Sequence, residues 1–218
     1  MIVLMSLWRN DEYRRIHERI SHLLSKRSVS YGVRWLWVVG DSSDRTEEIL
    51  RDYARFGDIQ VWRHNSGIVG TDTPTNRKRS SWTATQMFAH VSPEDNFACD
   101  HESDLQSPSD VLDRLLACPL PSAGWPVITL NGSPQFYDTW AYRDLQGNHF
   151  QAETRLLGLT EISSFGSVWM APADMFRGRV LDEECVVGLC KQWRNEGAKL
   201  TVDPSIIIEQ PVDLWSPA

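Results

Sequence analysis

Short apolar runs alternate with segments of helical period, and this alternation constrains the fold more than any other feature of the chain. Ile2–Leu7 is an almost unbroken apolar run bounded by polar residues, as expected of a strand covered on both faces. Asp11–Lys26 then places Tyr13, Ile16, Ile20, Leu23 and Leu24 on one side at helical spacing. Arg34–Val39 is a second buried strand and ends at Gly40-Asp41. The next helix is predicted to start at Ser43 or Asp44, with Glu47 completing a capping box, and to run through Ile49, Leu50 and Tyr53. Ile59–Arg63 is a third strand. The pattern β-α-β-α-β opens a doubly wound, mostly parallel α/β sheet flanked by helices.

The remainder reads as a continuation. His64–Thr75 is a polar loop, and Asn76–His90 a helix with Arg and Lys at its start. Asp95–Cys99 is a short strand leading into the acidic stretch Asp100–Gln106. Pro108-Ser109 opens another helix, with Ser109 as its cap. Val127–Leu130 is a strand, and Phe136–Phe150 a loop or irregular hairpin over a site. Ser167–Ala171 is a strand, Asp182–Glu196 a helix closed by Gly197, and Lys199–Val202 and Ile206–Glu209 are late strands. With no repeat and no linker in 218 residues, a single domain spanning 1–218 is expected, with a first half of about 1–107 and a second of about 108–218.

Buried parallel strands deliver polar side chains at their carboxyl ends, where ligands bind. Asp41 ends the second strand, and Asp100, Glu102 and Asp104 follow the strand after the Asn76 helix. Carboxylates at i and i+2 of an extended segment point to one side. They suit a hard divalent cation that completes its shell with water and phosphate oxygens, and such an ion neutralises charge on a departing nucleoside diphosphate. A solvated acidic turn capping the next helix is the structural alternative. Arg77 and Arg79, with Arg9, offer guanidinium forks suited to a diphosphate. Asp138, Trp140, Tyr142, Arg143 and Asp144 form an aromatic and charged patch suited to a sugar or acceptor ring.

Charge and cysteine usage narrow the classes. The balance of 22 basic against 29 acidic residues, −7 in all, is unlike that of a protein living mainly by phosphate-backbone attraction. Cys99, Cys118, Cys185 and Cys190 form no C-x-x-C pair and read as free thiols of a reducing compartment. Met1–Trp8 is too short for a signal-peptide core or a membrane span, so no transmembrane segment and a cytoplasmic location are expected.

Several motifs in order resemble the GT-A fold glycosyltransferases of the family 2 type. Ser6-Leu7-Trp8-Arg9-Asn10-Asp11 looks like their first strand and loop, and Val38-Val39-Gly40-Asp41-Ser42-Ser43-Asp44 like their acidic, Ser-rich turn. Asn76-Arg77 resembles their Arg-Asn helix start, and Glu102-Ser103-Asp104 stands where they carry an Asp-x-Asp metal motif. The second half resembles the CAP59-like mannosyltransferases through Phe136–Asp144 and through Glu184-Cys185, Gly188-Leu189-Cys190 and Trp193.

The resemblance implies a nucleoside-diphosphate sugar as donor and Mn2+ or Mg2+ held by Glu102 and Asp104. It also implies donor contacts from Leu7, Arg9, Asp41, Arg77, Arg79, Glu102 and Ser103, with Asp41 on the base. Asp138, Trp140, Arg143 and Asp144 would meet the acceptor. Glu183 or Glu184, at the head of the late helix, would be the general base. Two departures stand out. The metal triplet begins with Glu102 rather than aspartate, and no histidine follows His149, leaving Asp203, Glu209, Gln210 or water as a late ligand. A bacterial cytosol or a virus-infected host cytosol is the expected setting. The acceptor stays open among a glycan, a small molecule and a modified DNA base. A sugar-nucleotidyltransferase would need a Gly-rich loop after the first strand, and a dinucleotide oxidoreductase a G-x-G-x-x-G; neither is present. A non-catalytic nucleotide-sugar or glycan-binding protein on the same fold is the alternative function.

Overall fold

The computed structural model describes residues 1–70 and 72–212. Thr71 and residues 213–218, included in the loop and single-domain readings above, lie outside the described residues. Four strands, β1 (Ile2–Trp8), β2 (Val33–Val39), β3 (Ile59–Arg63) and β4 (Phe97–His101), run parallel. Five more complete the sheet: β5 (Ser122–Leu130), β6 (Ser133–Phe136), β7 (Thr160–Ile162), β8 (Val168–Pro172) and β9 (Leu200–Glu209). Their spatial order is β3-β2-β1-β4-β8-β5-β9-β7, with β6 paired to β5. The sheet is parallel through β4 and mixed beyond it, because β8 lies antiparallel to both β4 and β5.

Alternation along the central strands explains why both faces are covered. Ile2, Leu4, Trp37 and Val39 join Ile16, Ile20 and Leu23 of α1 (Ile16–Leu24), Leu50 of α2 (Thr46–Ala54) and Val111, Leu112 and Leu115 of α4 (Val111–Leu116). Val3, Met5, Leu36 and Val38 turn the other way, toward Ala84, Met87 and Phe88 of α3 (Thr73–Phe88) and Val187, Leu189 and Trp193 of α5 (Cys185–Asn195). Period two in the strands and period 3.6 in the helices thus build two apolar layers around one sheet. No helix among the described residues is long and apolar enough to cross a membrane.

Several boundaries moved for local reasons. The first helix begins at Ile16 rather than Asp11, because Asp11 accepts the Arg9 amide and an Arg19 fork instead of entering a helical turn. Neither Ser43 nor Asp44 is the helix cap: α2 starts at Thr46, with Asp44 bonding the amides of Thr46 and Glu12. Glu47 pairs with Arg51 and Arg63 rather than closing a capping box. Helix α3 reaches back to Thr73, capped by Asp72, which accepts the Thr75 amide at 2.9 Å with Pro74 in the first turn. Helix α4 starts at Val111, with no side-chain cap from Ser109. A hairpin absent from the sequence reading joins β5 to β6 at Asn131-Gly132, both at positive φ; that dipeptide is itself a hairpin signal.

The two late strands are one, β9, whose pairing with β5 shifts between Gly124 and Trp125. At Gly124 a Cβ would stand 2.6 Å from Ile208 Cγ1 and 2.8 Å from the Ile206 carbonyl, so only glycine fits where β9 bulges across it. Gly124→Val is expected to destabilise the protein by roughly 1–3 kcal/mol or more through overpacking. Chemical denaturation should show a lower midpoint with an unchanged slope.

Candidate active site

At the carboxyl ends of β1 and β4 the sheet opens into a cavity of about 500 Å³. One wall is a stripe of α3, Thr73, Asn76, Arg77, Ser80, Ala84 and Phe88, at the spacing of one helix face. Leu7, Trp169, Leu181 and Val186 add an apolar lining, and Trp140 lies across from α3. The Arg77 guanidinium sits 4.2 Å from the centre of the Trp140 ring, a cation–π contact that ties α3 to the segment after β6.

Acidic groups gather at the other side of this cavity. Asp100 is the penultimate residue of β4, Glu102 and Asp104 lie on the turn that follows, and Asp138 comes from the segment after β6. The Glu102 amide donates to the Ser167 carbonyl at 3.2 Å, while Asp138 accepts from the Ala141 amide at 3.0 Å and the Ser167 hydroxyl at 3.1 Å. Ser167 thus ties both carboxyl-bearing turns to the start of β8. Burial pushes Asp100 up to about 7. Glu102 reaches the cavity's water, yet the protein surrounding it and the like charges of Asp104, Asp138 and Asp100 push it well above the usual range. Burial raises Asp104 against the opposing field of Arg19, and raises Asp138 against its hydrogen bonds. Burial and mutual repulsion therefore disfavour ionising these carboxyl groups together, a penalty that a cation beside them would relieve.

Among the described residues, no three His, Cys, Asp or Glu side chains converge closely enough to hold an ion by themselves. Asp203, Glu209 and Gln210 are absent from the cavity lining: Asp203 bonds the Ser205 amide, the Glu209 amide and carbonyl pair with Gln106, and Gln210 is buried elsewhere. The carboxyl groups that line the cavity, Asp11, Asp100, Glu102, Asp104 and Asp138, offer an all-oxygen donor set that includes the expected pair Glu102 and Asp104. It fits a hard cation whose other positions belong to water and phosphate.

The other predicted residues divide into two groups. Leu7, Arg77, Glu102, Ser103, Asp104, Asp138 and Trp140 line the cavity. Arg9 lies beside it, in a smaller hollow shared with Leu7, Gly40 and Arg79, and donates to Asn76 Oδ1 at 3.3 Å. Asp41, at φ 49°, accepts from the Ser66 hydroxyl at 2.5 Å and the Gly67 amide at 3.2 Å. Arg79 falls off the cavity stripe of α3 and is committed to structure: its fork reaches the carbonyls of Ile68 and Gly70, and it stands 3.4 Å from Asp41. Of the two, Arg77 lines the cavity and Arg79 does not.

Arg143 and Asp144 are not brought to the cavity. Arg143 exchanges backbone bonds with Ser163 and Ser164, and Asp144 accepts the amides of Gln146 and Asn148 to close a turn. Tyr142 is fully buried, its hydroxyl 2.7 Å from the Gly124 carbonyl. Glu183 and Glu184 are exposed and absent from the lining; Glu183 pairs with Lys78 at 2.8 Å. Residues missed from sequence include Asp11, Arg19, Tyr137 and Trp169, all of which line the cavity. Arg19 left a readable trace: it falls between Ile16, Ile20 and Leu23 on the apolar stripe of α1, where a charge needs a partner.

No family model matches this chain, and no curated protein does. Among solved structures it is similar to S. aureus TarS 1-349 in complex with UDP-GlcNAc, at TM-score 0.57 and 13% identity over 100% of this chain and 61% of that one. It is also similar to GalNAc-T7 with UDP, GalNAc and Mn2+, at TM-score 0.63 and 10% identity over 96% of this chain and 43% of that one. The chain has the GT-A glycosyltransferase fold. It spans 36–61% of the length of the TarS and GalNAc-T7 structures it matches. At these identities the likeness establishes the fold, and the chemistry rests on the GT-A-fold cavity itself.

Proposed function

We propose that this GT-A-fold chain is a metal-dependent glycosyltransferase that moves a sugar from a nucleoside-diphosphate sugar to an acceptor hydroxyl. The observation that carries this reading is the meeting of Glu102, Asp104 and Asp138 around one cavity at the carboxyl ends of β1 and β4. Complexes of the structural neighbours with UDP, UDP-GlcNAc and Mn2+ support the ligand classes. Glu102 and Asp104 would hold Mn2+ or Mg2+, which when bound neutralises charge on the departing diphosphate.

The protein's own groups do the rest. Arg77 leaves the Trp140 face to meet the diphosphate, and Asp41 with its loop borders the base. Asp138, held by the Ala141 amide and the Ser167 hydroxyl, accepts the hydrogen bond of the acceptor hydroxyl and takes its proton as the glycosidic bond forms. Trp140 supplies a ring face for a sugar. Glu184, at the head of α5 next to the cavity-lining Cys185, is the competing base and would have to turn inward from solvent. The sequence resemblance of the second half to CAP59-like mannosyltransferases, which no family model or curated protein supports, is the reason to include a mannosyl donor in the first panel of UDP- and GDP-sugars. A cytosolic setting and the open list of acceptors (glycan, small molecule, modified DNA base) remain part of the same proposal.

Calorimetric titration of UDP and GDP, with and without Mn2+, tests the donor site; no binding of either nucleotide in the presence of metal would sink it. The base is tested separately. Asp138→Asn is expected to lower kcat by roughly 10²–10⁴-fold with donor affinity little changed, while Glu184→Gln leaves kcat within severalfold of wild type. The reverse ranking would move the role to α5.

A further inference from the structure

Helix α1 and the turn after it present three basic side chains on one side, Arg19, His22 and Lys26, and all three bond to the segment 103–108 that continues from Glu102. Arg19 donates through Nε to the Ser103 carbonyl at 2.9 Å and through a terminal nitrogen to the Ser103 hydroxyl at 2.5 Å. Its other terminal nitrogen holds Asp11 at 2.8 Å, and the guanidinium lies 5.0 Å from the centre of the Trp8 ring. His22 Nε2 accepts the Ser107 amide at 2.9 Å. Lys26 Nζ donates to the carbonyls of Ser107, at 2.6 Å, and Pro108, at 3.3 Å. From β4, His101 closes the back of the segment, with Nε2 2.8 Å from the Ser107 hydroxyl.

This arrangement is costly as packing. Arg19 is 8% exposed and Lys26 1%, and apolar side chains of similar volume would fill these places at lower desolvation cost. The bonds converge on a turn of irregular backbone that carries the Glu102 and Asp104 side chains to the cavity while Ser103, Leu105 and Ser107 are buried. A planar fork that grips the carbonyl and the hydroxyl of Ser103 together fixes the orientation of the residue between those two carboxyl groups, which a point charge would not do.

We propose that Arg19 is a positioning residue for the acid turn. Its fork on Ser103 holds Glu102 and Asp104 in the relative placement that a divalent cation requires, and His22 and Lys26 anchor the far end of the same segment. This inference rests on the reading of Glu102 and Asp104 as the cation site. Arg19→Lys keeps the charge beside Asp11 and removes the fork. It is expected to weaken binding of Mn2+ with UDP or GDP by about 10–100-fold, the scale seen when partners that orient metal ligands are lost, and to alter the EPR spectrum of bound Mn2+. Its thermal unfolding should stay close to wild type. Ser103→Ala removes the hydroxyl arm of the same contact and serves if Arg19→Lys does not fold; a severalfold loss is expected.

Wild-type Mn2+ affinity and EPR spectrum in Arg19→Lys would overturn the proposal. So would a loss of thermal stability with unchanged Mn2+ affinity, which would make Arg19 a structural residue alone. Absence of Mn2+ binding by the wild-type protein is the distinguishable result that removes the underlying cation-site reading, and this inference with it.

Discussion

Replacing Glu102 and Asp104 together by alanine is expected to abolish metal-dependent nucleotide binding, a loss of at least roughly 100-fold, or about 2.7 kcal/mol, while the protein remains folded. The two carboxyl groups line the cavity and, among the described residues, form no salt bridge, so removing them relieves repulsion rather than breaking a support. An unfolding temperature at or above that of wild type without metal, together with a flat calorimetric titration with Mn2+, is the expected pair of results. Unaltered Mn2+-dependent binding would place the cation elsewhere.

The same electrostatics predicts a pH dependence. An unfolded aspartate ionises near ~3.9, whereas burial keeps Asp100 protonated up to about 7. Between those values the native state binds more protons than the unfolded one, and stability falls as pH rises. A cation on Glu102 and Asp104 opposes that fall. The rise in unfolding temperature produced by Mn2+ is therefore expected to be larger at about pH 8 than at about pH 6, measurable by calorimetric scans in matched buffers.

The largest loss of stability is expected far from the cavity, at Arg34. This β2 residue grips Asp95 with two bonds, of 2.9 and 2.5 Å, and also reaches the His90 carbonyl at 3.1 Å. The two side chains are 7% and 1% exposed. The pair locks the turn between α3 and β4, where Asp95 also accepts the Ser92 amide at 2.7 Å. Arg34→Met leaves a buried carboxylate unpaired, at a cost of about 3–5 kcal/mol. For a chain of this size that is on the order of 10 °C in unfolding temperature. The double variant Arg34→Met/Asp95→Leu should recover much of the loss, since the apolar pair strands no charge. Failure of the double variant to recover would mean that the bonds to His90 and Ser92, rather than the ion pair, hold the turn.

The first half of the chain could be read far from any structure. Parallel strands buried on both faces must be apolar at nearly every position, which made Ile2–Leu7 and Arg34–Val39 legible, while Ile59–Arg63, at the half-exposed edge of the sheet, is less strictly apolar. Their order with the intervening helices, and the acids at the ends of the second and fourth strands, followed from period alone. The second half was harder because its strands break the simple rules. Pro126 and Gly124 interrupt β5, β9 bulges across Gly124, and β7 is three residues long. Antiparallel insertion of β8 between β4 and β5 is a matter of long-range pairing that no local pattern encodes.

The candidate site divides in the same way. By itself the sequence determined that Glu102 and Asp104 sit two apart beyond an apolar strand, because spacing and strand end are local properties. Only the tertiary structure decided which partners face them. It brought Asp138, thirty-odd residues away, beside them; it turned Arg77 to the cavity and buried Arg79 against the loop before α3 and Asp41, through the 3.6-residue period of α3; and it left Glu183 outside, paired with Lys78. Arg19 shows the physical reason most clearly. A charge on an apolar helix stripe announces that something must satisfy it, but the partner, Ser103, is supplied by packing between elements distant in the chain.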